Sequence, residues 1–322
     1  MAAAFPKAAF HQADKSPVLW VGSHRQTTKR KSFDKKRRFL MSTTNTSDKD
    51  YILGHSKEEL ERLERQATFF RATTRNLLMC AGITTGMRVV DFGCGAGDLA
   101  ILLSELVGES GQVIAVDRAP KALEQAQHRM AAMGLKNVAT MLGDENRLAE
   151  VFQANKVDAV VGRLIMMHQK DVTAVLCKLV KSIRPGGIVA FQESELDHCP
   201  IWTKPALPLM LKTWDWMSQA AMAAGIPGDV GIQLMRAFDQ AGIQARHIAR
   251  EGILETGPDA LGYVFHVDGI RALLPLLQKF NVATPEEVGL ETLESRLRDE
   301  AAACQAVFIP IYFLNAYGRT PA

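Results

Sequence analysis

Apolar and polar positions follow two alternating periods between residues 87 and 193. Short apolar runs predict strands, and stretches of helical period with proline, aspartate or glycine at their ends predict the helices between them. The predicted strands are Met87–Asp91, Gln112–Asp117, Asn137–Leu142, Val157–Val161 and Ile188–Gln192. The predicted helices are Asp98–Val107, Pro120 to Gly134, about Arg147–Gln153, and Asp171 to Ile183, the last broken by Pro185-Gly-Gly187. This alternation predicts an α/β fold, a doubly wound parallel sheet with helices on both faces and ligands at the carboxyl ends of its strands.

The flanking segments have weaker patterns. Ser56-Lys-Glu-Glu59 is a capping box that predicts a helix to about Ala81. Beyond Ser194 the predicted elements are a mostly helical insertion over Cys199–Ile226, a helix over Asp229–Ala241, a strand over Gln244–Arg250, helix over Thr256–Phe280, a helix from the capping box at Thr284 to about Cys304, and a last strand over Ala306–Leu314. The expected plan is an extension over residues 1–50, a ligand-binding core over 51–193, and a helical insertion plus final antiparallel strands completing the sheet over 194–322.

The net charge of +3 conceals a strong asymmetry. Residues 1–40 hold 10 basic and 2 acidic residues, which leaves 28 basic and 33 acidic residues in the remaining chain. The first 50 residues have no apolar period, so we predict that they are disordered. The basic cluster Lys29–Arg38 has three possible interpretations. It is a nucleic-acid-binding or nuclear-localisation segment, part of a transit peptide, or an extension ahead of a translation start at Met41, and we favour the last.

Composition excludes several classes of protein. The chain has 47% hydrophobic and 23% charged residues, and no run approaches the roughly 18–20 apolar residues of a membrane span. Its five cysteines include no CxxC pair, which argues against a disulfide framework or a zinc knuckle. We therefore expect a cytoplasmic protein with no metal site.

A glycine-rich run follows the first predicted strand. It reads Arg88-Val-Val-Asp-Phe-Gly-Cys-Gly-Ala-Gly-Asp98. In the GxGxxG pattern of dinucleotide sites the third glycine would fall on Asp98. Carboxylates at Asp91 and Asp98 would repel a pyrophosphate, but they suit a ligand that carries an ammonium or sulfonium charge.

Acidic residues also end the next two predicted strands. Asp117 ends the second strand, where a carboxylate can accept hydrogen bonds from both ribose hydroxyls. Gly143-Asp-Glu145 ends the third, where an acid can meet an adenine amino group. Together these residues predict a nucleoside held by acids, with a cationic amino-acid tail over the glycine loop.

The chain resembles the class I S-adenosylmethionine-dependent methyltransferases, in their small-molecule branch that includes the ubiquinone/menaquinone methyltransferase-like enzymes. The matching residues are Asp91–Gly97, Asp117, Asp144 and Arg184-Pro-Gly-Gly187, with a lead-in segment from Tyr51 to Gln66. The resemblance covers residues 51–193 well and the rest loosely. It implies a Rossmann-like sheet, S-adenosylmethionine as the cofactor, and a small-molecule acceptor bound by the helical region after Ser194.

The resemblance also implies a role for individual residues. Gly93, Cys94, Gly95 and Gly97 would pack on the methionine part, Asp91 would order the loop or hold the ammonium through water, and Tyr51 and Gln66 would close over the tail. The residues expected around the ribose and the adenine are Asp117, Arg118, Gly143, Asp144 and Glu145. Arg163 and Leu164 would line the methyl-donor end.

Methyl transfer needs a base only where the acceptor must lose a proton. The candidates at the strand ends are His168, Glu193, Glu195 and His198. Tryptophans and methionines of the insertion would either line an apolar acceptor pocket or simply form its core: Trp202, Met210, Trp214, Trp216, Met217 and Met222.

Two other enzyme classes stay as alternatives. An NAD-dependent oxidoreductase is disfavoured by Asp98 in place of the third glycine. A nucleic-acid methyltransferase would use the basic segment, but the acidic body attracts phosphate poorly, and Gly162-Arg-Leu-Ile165 stands where such enzymes have an Asn-Pro-Pro-Tyr type of tetrapeptide. Nucleic acid is therefore disfavoured as a partner, and a homodimer and a non-catalytic cofactor-binding protein both stay open.

Overall fold

The computed structural model describes residues 57–194, 196 and 201–322. The predictions for residues 1–50, Tyr51, the cap at Ser56, Glu195 and His198 lie outside the described residues. Among the helices that are described, none combines the length and the apolar character needed to cross a membrane.

The first half of the described chain alternates helices and strands. In order they are α1 (Lys57–Ala81), β1 (Arg88–Phe92), α2 (Asp98–Val107), β2 (Gln112–Asp117), α3 (Pro120–Ala132), β3 (Val138–Leu142), α4 (Glu145–Val151), β4 (Val157–Arg163), α5 (Val172–Val180) and β5 (Ile183–Ser194). Every strand and helix predicted between residues 87 and 193 is present. A 3-10 turn, Met166–His168, follows β4 and was not predicted.

The second half adds helices and short strands. They are β6 (Trp202–Lys204), α6 (Pro208–Ala223), α7 (Val230–Gln240), β7 (Gln244–Gly252), β8 (Glu255–Thr256), α8 (Leu261–Lys279), α9 (Pro285–Val288), α10 (Leu290–Ala303), β9 (Val307–Ile309) and β10 (Tyr312–Arg319).

Seven strands form one sheet in the order β3-β2-β1-β4-β5-β10-β7. Strands β1 to β5 are parallel, and β10 is antiparallel to both of its neighbours, with Asn315 opposite Gln192 on β5 and opposite Ala249 on β7. The α/β class and the antiparallel strand are therefore confirmed. The strand order reverses between β1 and β4, so a ligand crevice is expected at their carboxyl ends.

Several predicted boundaries are wrong. The predicted strand Ala306–Leu314 is two strands, because Pro310 lacks a backbone N–H and separates β9, in a three-stranded sheet with β6 and β8, from β10. The helix predicted up to Ile183 ends at Val180. Pro185-Gly-Gly187 lies inside β5, where the pairing with β4 shifts register between Val157 and Ala159.

The apolar residues after Ser194 build a second core beside the sheet. We call the cap the unit made by α6, α8, α10 and the small β6-β9-β8 sheet. Phe69 and Phe70 of α1 belong to the same cluster of buried side chains as Met210, Trp214 and other residues of the cap. Helix α1 therefore joins the cap to the large sheet.

Candidate active site

The loop between β1 and α2 has an open backbone at its centre. Gly93, Gly95 and Gly97 all have left-handed conformations, with φ of 73°, 51° and 87°. A Cβ on Gly93 would lie 2.4 Å from Ile165, and one on Gly97 would lie 3.1 Å from Ala126. A Cβ on Gly95 would meet nothing within 4 Å. The first and third glycines therefore permit close packing, and the second leaves its backbone facing open space that a ligand can approach.

Asp117 connects the end of β2 to this loop. Its Oδ2 accepts a hydrogen bond from the Gly95 N–H at 2.9 Å, and its Oδ1 accepts one from the Ala119 N–H at 2.9 Å. The side chain is half-buried, and the neighbouring Arg118 is exposed. The structure thus brings the second predicted acid to the glycine loop.

Asp91 is buried beneath the same loop. Within the described residues neither of its carboxylate oxygens has a hydrogen-bond partner. Burial raises the pKa of Asp91 to about 8, and the positive charge of Arg163 and, more weakly, the backbone N–H of Ala100 oppose this rise. A cationic group bound at the loop would satisfy a carboxylate that the protein leaves unpaired.

Asp98 has a partner that sequence reasoning missed. Arg129 of α3 forms an ion pair with Asp98 Oδ1 at 2.7 Å and donates a hydrogen bond to the Ala96 carbonyl at 2.7 Å. The Asp98 charge is therefore balanced from within the protein, which weakens the sequence argument that two carboxylates face the ligand.

The acids after β3 also have local partners. Asp144 is the N-cap of α4 and accepts hydrogen bonds at 3.0 Å from the backbone N–H groups of Asn146 and Arg147. Partial burial tends to raise the pKa of Asp144, but these hydrogen bonds outweigh that effect and hold the pKa below its ordinary value. Glu145 pairs with Lys178 at 3.1 Å. Gly143 donates a backbone hydrogen bond to the Asp117 carbonyl at 3.0 Å, which places this segment beside the end of β2.

Residues at the end of β4 and just after it lie close to the glycine loop, where the Ile165 side chain meets Gly93. The half-buried Arg163 places its guanidinium 5.6 Å from the centre of the Phe70 ring. Burial lowers the pKa of Arg163, and the charges of Asp98 and Asp91 oppose this effect. Leu164 has a left-handed φ of 52°, which a non-glycine residue adopts only under constraint.

Glu193 supplies part of that constraint. Its two oxygens accept hydrogen bonds from the backbone N–H groups of Ile165, Met166 and Met167, at 2.9 to 3.3 Å. Burial raises the pKa of Glu193 to about 7, and these hydrogen bonds oppose the rise. The geometry is that of a positioning residue that holds the turn after β4.

Three other predicted site residues differ in exposure and charge. His168 is half-buried, and burial together with the charge of Arg118 lowers its pKa to about 4, so it is neutral at physiological pH. Gln66 is half-buried on α1. Burial raises the pKa of the Cys94 thiol well above its ordinary value, so Cys94 is not an activated nucleophile.

The tryptophans and methionines of the cap divide into two groups. Met210, Trp214, Trp216 and Met217 are buried in its core, whereas Trp202 and Met222 are 41% and 40% exposed. A polar pair in this core was not predicted: Thr213 Oγ1 lies 2.7 Å from Nε2 of the buried His266. No local sequence signal pairs these two residues, because they are 53 positions apart on different helices.

The sheet order, the glycine loop at the switch point and the acids at three strand ends are the features expected of a class I S-adenosylmethionine-dependent methyltransferase. Residues 83–242 match a family described as a methyltransferase domain. The chain therefore contains a methyltransferase domain, and its cofactor is S-adenosylmethionine.

Relatives of known name agree with this assignment. A demethylmenaquinone methyltransferase of Lactococcus lactis is 29% identical over 49% of this chain and 66% of its own length. The aklanonic acid methyltransferase DauC of a Streptomyces species is 32% identical over 38% of this chain and 55% of its own length. The chain thus spans about two-thirds of the first relative and about half of the second. The structure of the YcgJ protein of Bacillus subtilis has the same fold, with a TM-score of 0.51 and 14% identity over 78% of this chain and 99% of that one.

The residues present fit this cofactor. The open backbone at Gly95 gives room for a ligand against the loop, and the unpaired Asp91 carboxylate suits a cationic amino-acid tail. Asp117 stands at the strand end where a nucleoside's ribose is expected.

Proposed function

We propose that this protein transfers a methyl group from S-adenosylmethionine to a small-molecule acceptor held between the carboxyl ends of the strands and the cap. The observation that carries the proposal is the glycine loop, where an open backbone at Gly95 adjoins the unpaired carboxylate of Asp91. The names of the two relatives, which refer to demethylmenaquinone and aklanonic acid, support a small-molecule acceptor.

Most of the predicted cofactor residues receive a proposed role. Asp91 compensates the cofactor's ammonium group, and Asp117 both orders the glycine loop and binds the ribose. Asp144 holds the start of α4 beside the adenine, and Glu145 and Arg118 flank the base. On the methionine side stand Tyr51 and Gln66. Arg163 and Leu164 line the methyl-donor end, next to the Phe70 ring and the cap.

The chemistry requires little from the protein beyond placement. Bound S-adenosylmethionine supplies a sulfonium whose methyl carbon is attacked in line by the acceptor, which leaves a neutral thioether. Orientation of this kind can provide on the order of 7–11 kcal/mol of the acceleration. The turn held by Glu193 and the strained backbone of Leu164 fix the wall that faces the reacting groups.

Proton removal from the acceptor has four candidate bases. Both oxygens of Glu193 already accept backbone hydrogen bonds, and the neutral His168 with a pKa of about 4 is a weak base. Glu195 and His198 complete the set of proposed bases. Exchange of each residue for glutamine, with the pH profile of turnover as readout, would identify the one that acts.

Calorimetry with S-adenosylhomocysteine tests the cofactor step. Binding is expected within the range of about 1 μM to 1 mM that is usual for enzyme ligands. Failure of the wild-type protein to bind at about 1 mM, under conditions where it is folded, would refute the proposed function.

A further inference from the structure

His266 presents an unused hydrogen-bond acceptor inside the cap. The single proton of the Thr213 hydroxyl is directed to carbonyls of its own helix, since Leu209 O and Met210 O lie 3.0 and 3.1 Å from Oγ1. The Nε2 of His266 lies 2.7 Å from the same oxygen, and we assign it as the donor because this tautomer lets the Thr213 hydroxyl keep its hydrogen bond to a carbonyl. His266 is neutral because burial lowers its pKa to about 4. Its Nδ1 therefore carries a bare lone pair.

Trp214 presents the complementary group. The indole Nε1–H of Trp214 and the Nδ1 of His266 are both buried, and neither has a hydrogen-bond partner in the described part of the chain. The two rings lie 6.5 Å apart between centres and are inclined by 32°. Buried polar atoms in native proteins are almost always satisfied, by protein, water or ligand. One unpaired donor and one unpaired acceptor on neighbouring rings therefore mark a place for a polar group from outside the chain.

This pair connects to the methyl-donor end through aromatic contacts. Phe265, the neighbour of His266 on α8, stacks on Phe69 at 4.8 Å with an interplanar angle of 7° and touches Phe70 at 5.3 Å. Phe70 lies under the guanidinium of Arg163. Leu164 packs against the same cluster. Trp214 belongs to the same cluster as Phe69 and Phe70, so apolar side chains extend from the end of β4 to Trp214, whose ring neighbours that of His266.

We propose that His266 and Trp214 bind the methyl acceptor through a hydroxyl group of an otherwise apolar molecule. A hydroxyl donates one hydrogen bond and accepts others, so a single group can satisfy the His266 lone pair and the Trp214 N–H. The apolar side chains between β4 and Trp214 cover the rest of the acceptor. His266 orients the acceptor and does not serve as the base, because its imidazole strongly resists protonation in this site. The inference rests on the proposed function and names the substrate class for it.

A binding experiment with two probes tests the proposal. The full chain, saturated with S-adenosylhomocysteine, is titrated with 2-naphthol and with naphthalene, and the ratio of the two affinities is the readout. The wild type is expected to prefer 2-naphthol by at least about tenfold, the factor that corresponds to 1.4 kcal/mol. His266→Gln keeps a donor near the Nε2 position and removes the Nδ1 acceptor, and Trp214→Phe removes only the N–H from an aromatic side chain. Both variants are expected to lose the preference and to bind naphthalene as the wild type does.

The controls separate this inference from the proposed function. His247→Gln makes the same exchange at an exposed histidine of β7, where the ring stacks on Tyr317, and it should leave both affinities unchanged. S-adenosylhomocysteine affinity measures the cofactor site independently, and a wild type that lacks it refutes the proposed function rather than the hydroxyl site alone. The hydroxyl site is refuted if the wild type has no preference for 2-naphthol, or if folded His266→Gln and Trp214→Phe proteins both retain it. Should His266→Gln fail to fold, Trp214→Phe decides the outcome.

Discussion

Gly93→Ala should destabilise the fold more than an alanine at a left-handed glycine whose Cβ position is empty. The backbone of Gly93 has a φ of 73°, and an added Cβ would lie between 2.4 and 3.0 Å from three atoms of the Ile165 side chain. The left-handed conformation costs a residue with a Cβ about 1–2 kcal/mol. Overpacking against Ile165 adds about 1–3 kcal/mol. Gly93→Ala is therefore expected to lower the free energy of unfolding by about 2–5 kcal/mol.

Two matched variants separate the steric cost of the added Cβ from its effect on cofactor binding. Gly95 and Gly134 have φ of 51° and 68°, and a Cβ at either position would meet nothing within 4 Å. In both alanine variants the free energy of unfolding should fall only by the conformational cost of about 1–2 kcal/mol. Gly95 lies in the proposed cofactor loop, whereas Gly134 follows α3. Gly95→Ala should consequently weaken S-adenosylhomocysteine binding by at least about tenfold, or 1.4 kcal/mol, and Gly134→Ala should not.

Urea unfolding followed by circular dichroism gives the stabilities, and calorimetry gives the cofactor affinities. A Gly93→Ala protein no less stable than Gly134→Ala would contradict the packing argument. Equal affinities of Gly95→Ala and Gly134→Ala for S-adenosylhomocysteine would contradict the placement of the cofactor against the loop.

Three further predictions concern buried carboxylates. Asp91, with a pKa of about 8, is largely protonated at pH 7 without ligand. Binding of the cofactor's ammonium group should therefore release up to about one proton from Asp91. Calorimetry in buffers of different ionisation enthalpy measures this release. Glu193, whose pKa rises from 4.5 to about 7, stabilises the fold fully below pH 4.5 and loses that contribution as the pH rises through 7. Glu193→Gln should therefore flatten the pH dependence of urea unfolding across this interval. Asp268 is buried between Arg65 and Arg271, each nearly half-exposed, so Asp268→Asn should lower the free energy of unfolding by about 1.5–3 kcal/mol.

Each of these predictions has a control on the same chain. Asp91→Asn should abolish the proton release, and its persistence in that variant would assign the release to another group. Glu124→Gln alters an exposed carboxylate of α3 and should leave the pH dependence of unfolding as it is in the wild type. Asp215→Asn alters an exposed carboxylate of α6, with an expected effect within about 0.5 kcal/mol. If Asp268→Asn behaves like Asp215→Asn, its ion pairs contribute little.

The parallel half of the sheet was predictable because each of its strands contains a short apolar run. Strand β1 ends in the contiguous run Asp91–Gly97, so strand, loop and helix start could be found together in a few residues. The cap was less predictable, since tertiary packing set its boundaries. Gly289, with a left-handed φ of 56°, divides the helix predicted from Thr284 into α9 and α10.

The missed parts of the site depend on partners far apart in sequence. Arg129 neutralises Asp98 from 31 positions away, and Glu193 reaches a turn 26 to 28 positions before it. No window of the sequence contains both members of such a pair. The N-cap role of Asp144 was different, because its signal was local. It was missed because the start of α4 was placed at Arg147 and not at Glu145.

The position of β10 has a consequence for how the chain reaches its native state. This strand separates β5 from β7, yet the ribosome makes it after both of them and after every element of the cap. Until β10 emerges, the facing edges of β5 and β7 have no strand between them, and unpaired edges readily join other chains. Pairing of β10 with β7 closes a loop that contains the cap segments from β8 to β9. A substitution that slows cap assembly should therefore lengthen the interval in which a nascent chain can aggregate, even if the finished protein is as stable as before.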